Sequence, residues 1–328
     1  MVTRRRFIKA AGAVAFASGV CMRYAGGVEP PTVRPSRPRV ALAFDVPAGA
    51  CDTHVHIVGN TARYPFVPNR AYTPPEASVD DLQAVHKALR LQRVVIVQPS
   101  FYGADNSCTL DAIKSIGSSA RGIAVIDGKT PDAALDDMQR IGIRGVRLNL
   151  STAGVTDPAA SVRMLRTAAE RVRRLNWHVQ MNVAPDLIAA LKQDFAALPV
   201  GLVFDHFGGA NAAKGVNEPG FDSLIELVGS GKAYVKISAT NLFATDPPHF
   251  AGYAAMAKAL IAANPDRVLW GSNWPHPGAR TPGYVITDLM PWRDIDDAVI
   301  LNLLPTWESD ATVRKKILVD NPARLFGF

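Results

Sequence analysis

Two histidines one residue apart, His54 and His56, follow a short apolar run and could carry out chemistry. In a β-strand, residues i and i+2 face the same side, so both imidazoles would point together while Val55 points away. Paired imidazoles serve as metal ligands, as acid–base groups or as electrophiles that polarise a carbonyl. A single histidine is more often structural, but the pair favours a functional site.

Two other polar residues end apolar runs in the same way. His206 follows the buried-looking run that contains Phe204 and Asp205, and its alternative is a histidine that merely caps a turn. Asn273 ends the last apolar run and carries an amide, which cannot take up a proton near neutral pH. We expect both side chains at the same site as the histidine pair.

An arginine and several neutral polar side chains complete the candidate set. Arg147 could hold a carboxylate through paired hydrogen bonds, or it could form a salt bridge at the rim. His178 begins its apolar run and is expected to be structural. The remaining candidates are hydrogen-bonding side chains near the ends of other runs, namely Ser100, Tyr102, Asn149 and Gln180.

Short apolar runs alternate with stretches of helical periodicity from residue 50 onward, and these elements must position the candidates. The apolar runs are rich in Val, Ile, Leu and Phe, as expected of strands buried on both faces. The predicted strands are 51–57, 93–99, 122–126, 145–150, 178–183, 201–207, 233–238 and 267–273. The predicted helices are 79–89, 109–116, 131–141, 158–176, 185–198, 221–229, 248–264, 296–304 and 312–319.

Eight strands separated by helices give the count of a (β/α)8 barrel, an α/β fold of the TIM-barrel type. The alternative is a doubly wound open sheet, which needs a glycine-rich loop after its first strand. Residues 51–56 contain no glycine. We therefore predict a single barrel domain over residues 41–328, with the candidate residues at the C-terminal ends of its strands.

The composition is that of an ordinary globular protein, with 48% hydrophobic and 20% charged residues among 328. The net charge of +7 lies in residues 1–40, because the residues after them hold equal numbers of basic and acidic side chains. A chain body without net charge offers no electrostatic surface for a phosphate backbone. We expect no nucleic-acid partner.

The basic start of the chain resembles an export signal. Residues 3–9 read TRRRFIK, similar to the twin-arginine motif, and a weakly apolar run follows over residues 10–20. That run is too short to span a bilayer, which takes about 20 apolar residues. We predict that residues 1–40 are a twin-arginine signal and linker, that the export machinery is a partner and that the protein is periplasmic. The alternative is the basic N-terminus of a cytoplasmic enzyme.

The three cysteines, Cys21, Cys51 and Cys108, allow one long-range disulfide but no disulfide framework. None lies in a C-x-x-C pair or near a histidine at zinc-finger spacing. We therefore expect no cysteine-based metal site.

From about residue 50 onward the chain resembles the amidohydrolase superfamily, in the branch around 2-pyrone-4,6-dicarboxylate hydrolase. The matching stretches occur in order on the predicted strands: DTHVH at 52–56, YPF at 64–66, RAY at 70–72, VQPS at 97–100, YGADN at 102–106, RGVR at 144–147, FDHFG at 204–208, VKIS at 235–238 and LWGSNWPHP at 269–277. The resemblance implies a barrel that acts on cyclic esters of sugar acids or aromatic-derived acids, generally without the metal used elsewhere in the superfamily.

Two departures from this branch bear on the reaction. Its hydrolases carry a water-activating aspartate at the end of strand 8, where this chain has Asn273. The pyrone hydrolase pattern also continues into a tyrosine and an arginine where residues 238–242 read SATNL, so a second carboxylate is not expected to be held there. Both changes argue against pyrone dicarboxylate as the substrate and favour a lactone isomerase, for which the branch has D-galactarolactone isomerase.

We therefore predict a metal-independent isomerase that converts a sugar-acid lactone of the galactaro-1,5-lactone type into its 1,4-isomer by intramolecular acyl transfer. The histidines would stabilise the oxyanion while a substrate hydroxyl replaces water as the nucleophile. The predicted catalytic residues are His54, His56, His206 and Asn273. The predicted substrate-binding residues are Tyr72, Ser100, Tyr102, Arg147, Asn149 and Gln180, with Arg147 on the free carboxylate.

Three alternatives stay open. A lactone hydrolase would activate water with one of the histidines. A barrel without activity would bind a sugar acid and release it unchanged. Zinc held by His54, His56 and His206 would have three protein ligands, but we expect no cofactor because Asn273 removes the carboxylate that metal sites of the superfamily use.

Overall fold

The computed structural model describes residues 34–240, 252–278 and 283–328. Residues 1–33 of the predicted signal and linker lie outside the described residues. Eight parallel strands pair in the order β1 to β8 and alternate with helices, which confirms the predicted (β/α)8 barrel. The strands are β1 (Cys51–Val55), β2 (Arg93–Val97), β3 (Ala120–Ala124), β4 (Ile143–Asn149), β5 (His178–Asn182), β6 (Leu202–Phe204), β7 (Ala233–Ser238) and β8 (Val268–Gly271).

The helices surround the strands and largely agree with the predicted pattern. The stretch 185–198 is divided at Leu191, and the stretch 296–304 is divided at Leu303, so that a separate helix covers Leu304–Trp307. The helix Asn321–Phe326 has no predicted counterpart, and the start of 248–264 lies outside the described residues. Among the described helices, none is long and apolar enough to cross a membrane. They are α1 (Val79–Leu89), α2 (Ser107–Ile116), α3 (Asp132–Ile141), α4 (Pro158–Val172), α5 (Pro185–Ala190), α6 (Lys192–Ala197), α7 (Phe221–Gly229), α8 (Gly252–Ala263), α9 (Asp297–Asn302), α10 (Leu304–Trp307), α11 (Ala311–Lys315) and α12 (Asn321–Phe326).

The barrel closes between β1 and β8. A parallel bridge joins Val55 to Trp274, and the N–H of Asn273 donates to the carbonyl of His54 at 2.9 Å. Gly271 allows this approach, because a Cβ at that position would lie 2.7 Å from the Cβ of His54. The closure therefore brings the end of β8 directly beside the histidine pair.

Side chains that face the inside of the barrel form two layers of different character. The lower layer is apolar and contains Val95, Ile123, Val203 and Leu269, packed with Phe326 of α12. Asp205, directly after β6, lies two residues beyond Val203 on the same face. It contacts Arg147 of β4 and Lys236 of β7, and Lys236 also contacts Gln180 of β5. The sequence thus places a polar layer above an apolar base, just below the open end of the barrel.

The segment before β1 lies against the barrel. The hydroxyl of Ser36 donates to Asp294 at 2.6 Å, and the N–H groups of Arg39 and Val40 donate to Asp296 at 2.9 and 3.1 Å. These contacts fix residues 36–40 of the predicted linker. The two described cysteines, Cys51 and Cys108, are buried free thiols, so the disulfide that the sequence allows does not join them.

Candidate active site

A cavity of about 360 Å³ opens at the C-terminal ends of the strands, where barrels of this type carry their chemistry. Arg147 is the single charged side chain among the described residues that line it, and no carboxylate is among them. The lining residues are His56, Tyr72, Pro99, Ser100, Arg147, Asn149, Ser151, Thr152, Asn182, Val183, Ala184, Pro185, His206, Gly209, Asn273 and Pro277.

A backbone contact decides the protonation of His56. Its Nδ1 lies 2.7 Å from the carbonyl oxygen of Val97. Because a carbonyl oxygen only accepts, Nδ1 carries the proton of the neutral ring and Nε2 keeps its lone pair. Burial, and next the positive charge of Arg147, lower the pKa of His56 to about 3. His56 therefore offers a neutral, proton-accepting nitrogen.

His54 lies behind His56, with the two ring centroids 5.0 Å apart. It is fully buried, and its Nδ1 lies 3.1 Å from a carboxylate oxygen of Asp205. Within the described part of the chain, its Nε2 has no hydrogen-bond partner. Burial lowers the pKa of His54 well below its usual value although Asp205 opposes this. The ring is neutral and lies beneath the cavity rather than in its wall.

Lys236 and Asp205 form a buried ion pair in the polar layer, with 3.8 Å between the ammonium and the carboxylate. The ammonium of Lys236 also donates to the carbonyl of Thr53 at 2.7 Å and to the side-chain oxygen of Gln180 at 2.8 Å. Burial lowers the pKa of Lys236 to about 8, so the ammonium is still mostly charged at neutral pH. These bonds hold a fixed cation below the cavity.

Arg147 connects this buried pair to the cavity. Its Nε donates to Asp205 at 3.0 Å while the residue lines the cavity wall. Burial raises the pKa of Asp205, but the Nδ1–H of His54 and the positive charges of Arg147 and Lys236 outweigh this and hold that pKa well below its usual value. Asp205 therefore faces two cations, and Asp52 is a further buried carboxylate whose charge acts on Lys236. The guanidinium of Arg147, in a cavity wall without carboxylates among the described residues, favours an anionic ligand or a developing oxyanion.

His206 and Asn273 hold left-handed backbone conformations just after β6 and β8, with φ of 52° and 64°. Such conformations are uncommon outside glycine and concentrate at functional sites. Nδ1 of His206 lies 2.9 Å from the hydroxyl of Ser238, and burial lowers the pKa of His206 to about 4. The carbonyl of Asn273 accepts from the N–H of His276 at 3.2 Å. Both side chains line the cavity as expected.

The structure gathers most of the predicted site residues around this one cavity. Those that line it are His56, Tyr72, Ser100, Arg147, Asn149, His206 and Asn273. The remaining three do not line it. His54 and Gln180 lie in the polar layer below. Tyr102 belongs to a 3₁₀ turn that follows β2, and its hydroxyl accepts from the N–H of Gly59 at 3.1 Å, outside the set of lining residues.

Asp205 and Lys236 are absent from the predicted site, as are the lining residues Thr152 and Asn182. A sequence signal for Lys236 exists, because it lies in the middle of a predicted buried strand between Val235 and Ile237. A lysine in such a position must find a partner within the fold. The partner itself cannot be read from the sequence, since it comes from the neighbouring strand.

The donor atoms near the cavity do not suit a divalent metal ion. His54, Asp205 and His206 offer ligand atoms that lie within 4.8 Å of one another. However, Asp205 already bonds Arg147, and the ammonium of Lys236 lies 3.8 Å from Asp205 and 3.4 Å from Nδ1 of His54. A dication there would face two fixed positive charges in a medium of low dielectric constant. This set of residues therefore does not fit a catalytic divalent metal ion.

A family model described as amidohydrolase matches residues 51–328. The chain is 35% identical to a 4-sulfomuconolactone hydrolase of Rhizobium radiobacter, over 91% of this chain and 96% of that protein. It is 34% identical to a 2-pyrone-4,6-dicarboxylate hydrolase of Comamonas testosteroni, over 89% and 93%. It is 27% identical to a D-galactarolactone isomerase of Agrobacterium fabrum, over 85% and 91%.

Solved structures agree with this relationship. An apo crystal structure from Agrobacterium tumefaciens matches with a TM-score of 0.72 and 25% identity, over 89% of this chain and 98% of that one. A probable 2-pyrone-4,6-dicarboxylic acid hydrolase from Acinetobacter baumannii, solved with citric acid bound, matches with a TM-score of 0.70 and 26% identity, over 85% and 100%.

Proposed function

The chain belongs to the amidohydrolase family, and on that basis we propose that it hydrolyses an anionic lactone. The relatives at 35% and 34% identity are hydrolases of a lactone and of a pyrone, which is also a cyclic ester. The isomerase is more distant, at 27%. These relationships favour hydrolysis over the isomerisation expected from Asn273.

One observation carries the proposal: the cavity wall contains both an unprotonated imidazole nitrogen, that of His56, and the cation of Arg147, and no carboxylate is among its described lining residues. Nε2 of His56 keeps its lone pair because Nδ1 is bonded to the carbonyl of Val97. Arg147 provides the positive charge. Among the described lining residues, an imidazole is therefore the group that can accept a proton from water, and the guanidinium favours a substrate with an acid group.

In the proposed reaction, water adds to the lactone carbonyl while Nε2 of His56 takes its proton. His206 stabilises the oxyanion: the hydroxyl of Ser238 can donate to Nδ1, and the neutral ring then presents an N–H from Nε2. The bond between the carbonyl carbon and the ring oxygen breaks, and His56 returns the proton to that oxygen. The product is an open-chain hydroxy acid, which ionises and releases one proton.

The acid group of the substrate also assists the base. The positive charge of Arg147 is the second cause that lowers the pKa of His56. An anion bound beside Arg147 offsets that repulsion and raises the pKa of His56 toward the working pH. Substrate binding and base strength are therefore coupled in this proposal.

We propose that the reaction needs no metal ion. The fixed cations Lys236 and Arg147 already provide the positive charge that a metal would bring to this part of the barrel. Dialysis against a chelator should leave the activity unchanged, and metal analysis of the active protein should find no stoichiometric zinc. Loss of activity that zinc restores would contradict this.

Isomerisation is the second candidate function, and Asn273 is the observation that favours it. Its side chain lines the cavity where the resemblance leads one to expect an aspartate that activates water. A hydroxyl of the substrate could attack the carbonyl with an effective concentration of about 10⁵ M or more when it is well oriented. The same carbonyl-polarising groups would serve this reaction.

Base consumption at constant pH distinguishes the candidates, because hydrolysis releases a proton in each turnover and isomerisation releases none. The substrates to compare are 4-sulfomuconolactone, 2-pyrone-4,6-dicarboxylate and galactaro-1,5-lactone, with ring size followed by proton NMR. We expect base consumption equal to substrate loss with an unsaturated acid lactone. Tight binding without any turnover would instead indicate a barrel that only binds.

A further inference from the structure

A second cavity, of about 560 Å³, adjoins the proposed active site on the side of the loop between β1 and α1. Ser100, Asn149 and Thr152 line both cavities, so the two spaces meet at these side chains. The second cavity is lined by Val67, Asn69, Arg70, Ala71, Ser100, Gly103, Val125, Asn149, Thr152 and Ala153. In the described lining of this cavity, Arg70 is the single charged residue.

Arg70 is held in place by neutral groups. Its Nε donates to the hydroxyl of Thr73 at 2.6 Å, its Nη1 donates to the carbonyl of Val67 at 3.2 Å, and the guanidinium lies 5.8 Å from the centroid of the Phe66 ring. No ion pair joins Arg70 to an acid in the described parts of the chain. A half-buried guanidinium with a fixed orientation and an uncompensated charge is preorganised to bind an anion.

The residues shared by the two cavities are polar. The side-chain oxygen of Asn149 is buried and has no hydrogen-bond partner among the described residues. The hydroxyl of Thr152 accepts from the amide of Asn182 at 3.0 Å and can still donate. Neutral hydrogen-bonding groups at the junction, with one arginine on each side, suit a polar ligand that extends from one cavity into the other.

We propose that Arg70 forms a second anion subsite, so that the substrate is a lactone with two acid groups, one beside Arg147 and the other beside Arg70. This inference rests on the proposed function for the lactone itself. The subsite lies on the loop between β1 and α1. Arg70 acts as a specificity residue for the exocyclic acid and does not take part in the bond changes.

Steady-state kinetics of Arg70→Gln test this with a matched pair of substrates, 2-pyrone-4,6-dicarboxylate and the singly charged 2-pyrone-6-carboxylate. A charged hydrogen bond typically contributes enough that its loss should raise KM for the diacid by about 10- to 100-fold. The value of kcat should change little, and KM for the monoacid should stay within about threefold. Arg70→Lys should restore part of the preference for the diacid.

Arg63→Gln is the matched control, because Arg63 lies on the same loop but pairs with Asp111 at 2.6 Å and lines neither cavity. It should leave both substrates unaffected. Equal losses for the two substrates in Arg70→Gln, or no loss for either, would overturn the subsite.

If the wild-type protein turns over no lactone, the proposed function fails, and calorimetric binding of the same diacid and monoacid tests the subsite separately. Weaker binding of the diacid alone by Arg70→Gln would uphold it. Equal affinities of wild type and variant for the diacid would contradict it.

Discussion

At the scale of single residues, the position of one proton on each imidazole decides what the cavity can do. The carbonyl of Val97 fixes His56 as an acceptor at Nε2, whereas the hydroxyl of Ser238 can donate to Nδ1 of His206 or accept from it. The proposed mechanism uses the tautomer of His206 that donates from Nε2, so the two rings take opposite roles in it because their partners differ. This assignment depends on neighbours from other strands, so the spacing of histidines in the sequence could not provide it.

His56→Gln should lower kcat for lactone hydrolysis by about 10² to 10⁴, since an amide cannot take the proton of water. KM should change little, because Arg147 still attracts the acid group. His178→Gln makes the same substitution at the lower end of the barrel and should leave kcat of the folded protein unchanged. A folded His56→Gln variant with kcat within about threefold of the wild type would show that another group is the base.

Asn273→Asp should keep the fold, because asparagine and aspartate both tolerate the left-handed conformation observed there. The new carboxylate should assist water, so the ratio of open-chain acid to ring isomer should rise. Its negative charge near Arg147 should also raise KM for an anionic lactone. Product analysis by proton NMR checks both effects, and an unchanged product ratio would show that this side chain does not select between water and an internal hydroxyl.

At the scale of elements, local sequence signals were sufficient where a helix or strand is defined by its own residues. α1 begins where the pattern predicts because Ser78 and Asp81 form a capping box at its start, and it ends as predicted where Arg90 takes a left-handed conformation. Tyr102 shows the opposite case. The position of Tyr102 after β2 predicts a side chain that reaches the substrate. Instead, Ser100–Tyr102 forms a 3₁₀ turn, and the ring of Tyr102 packs against the rings of Phe66 and Phe101.

Ser78→Ala should lower the free energy of unfolding by about 1 kcal/mol, because it removes the side chain that caps the N-terminus of α1. Urea unfolding followed by circular dichroism measures this. Ser115→Ala, on the exposed surface of α2, should change stability by no more than about 0.5 kcal/mol. Equal effects of the two substitutions would mean that the cap contributes nothing specific.

At the scale of the whole molecule, the barrel could be predicted because eight apolar runs recur in alternation with helical stretches. The polar layer inside it could not. Arg147, Gln180, Asp205 and Lys236 come from different strands and meet only when the sheet closes. Strand periodicity predicts which of these residues face inward, but the distances between them follow from the register of the assembled barrel.

Buried neutral histidines should make the molecule sensitive to acid. Burial lowers the pKa of His56 and His178 to about 3 and that of His206 to about 4, whereas an unfolded chain titrates them near 6.5. Between these values the unfolded state binds more protons, so stability should fall as the pH drops below about 6.5. Each histidine contributes about 1.4 kcal/mol per pH unit in that window.

The free energy of unfolding in urea, measured at about pH 7 and about pH 5, tests this expectation. The value at the lower pH should be smaller by several kcal/mol, and His178→Gln should show a weaker dependence because one of the groups is gone. Equal stabilities at the two pH values would mean that these rings are not buried in their neutral form.

Hydrolysis of an anionic lactone is tested most directly by mass spectrometry of the product formed in ¹⁸O-labelled water. Attack by water predicts one labelled oxygen in the new carboxylate of each product molecule, and loss of this product in His56→Gln. A ring-isomerised product that contains no label would contradict hydrolysis and identify the nucleophile as a hydroxyl of the substrate.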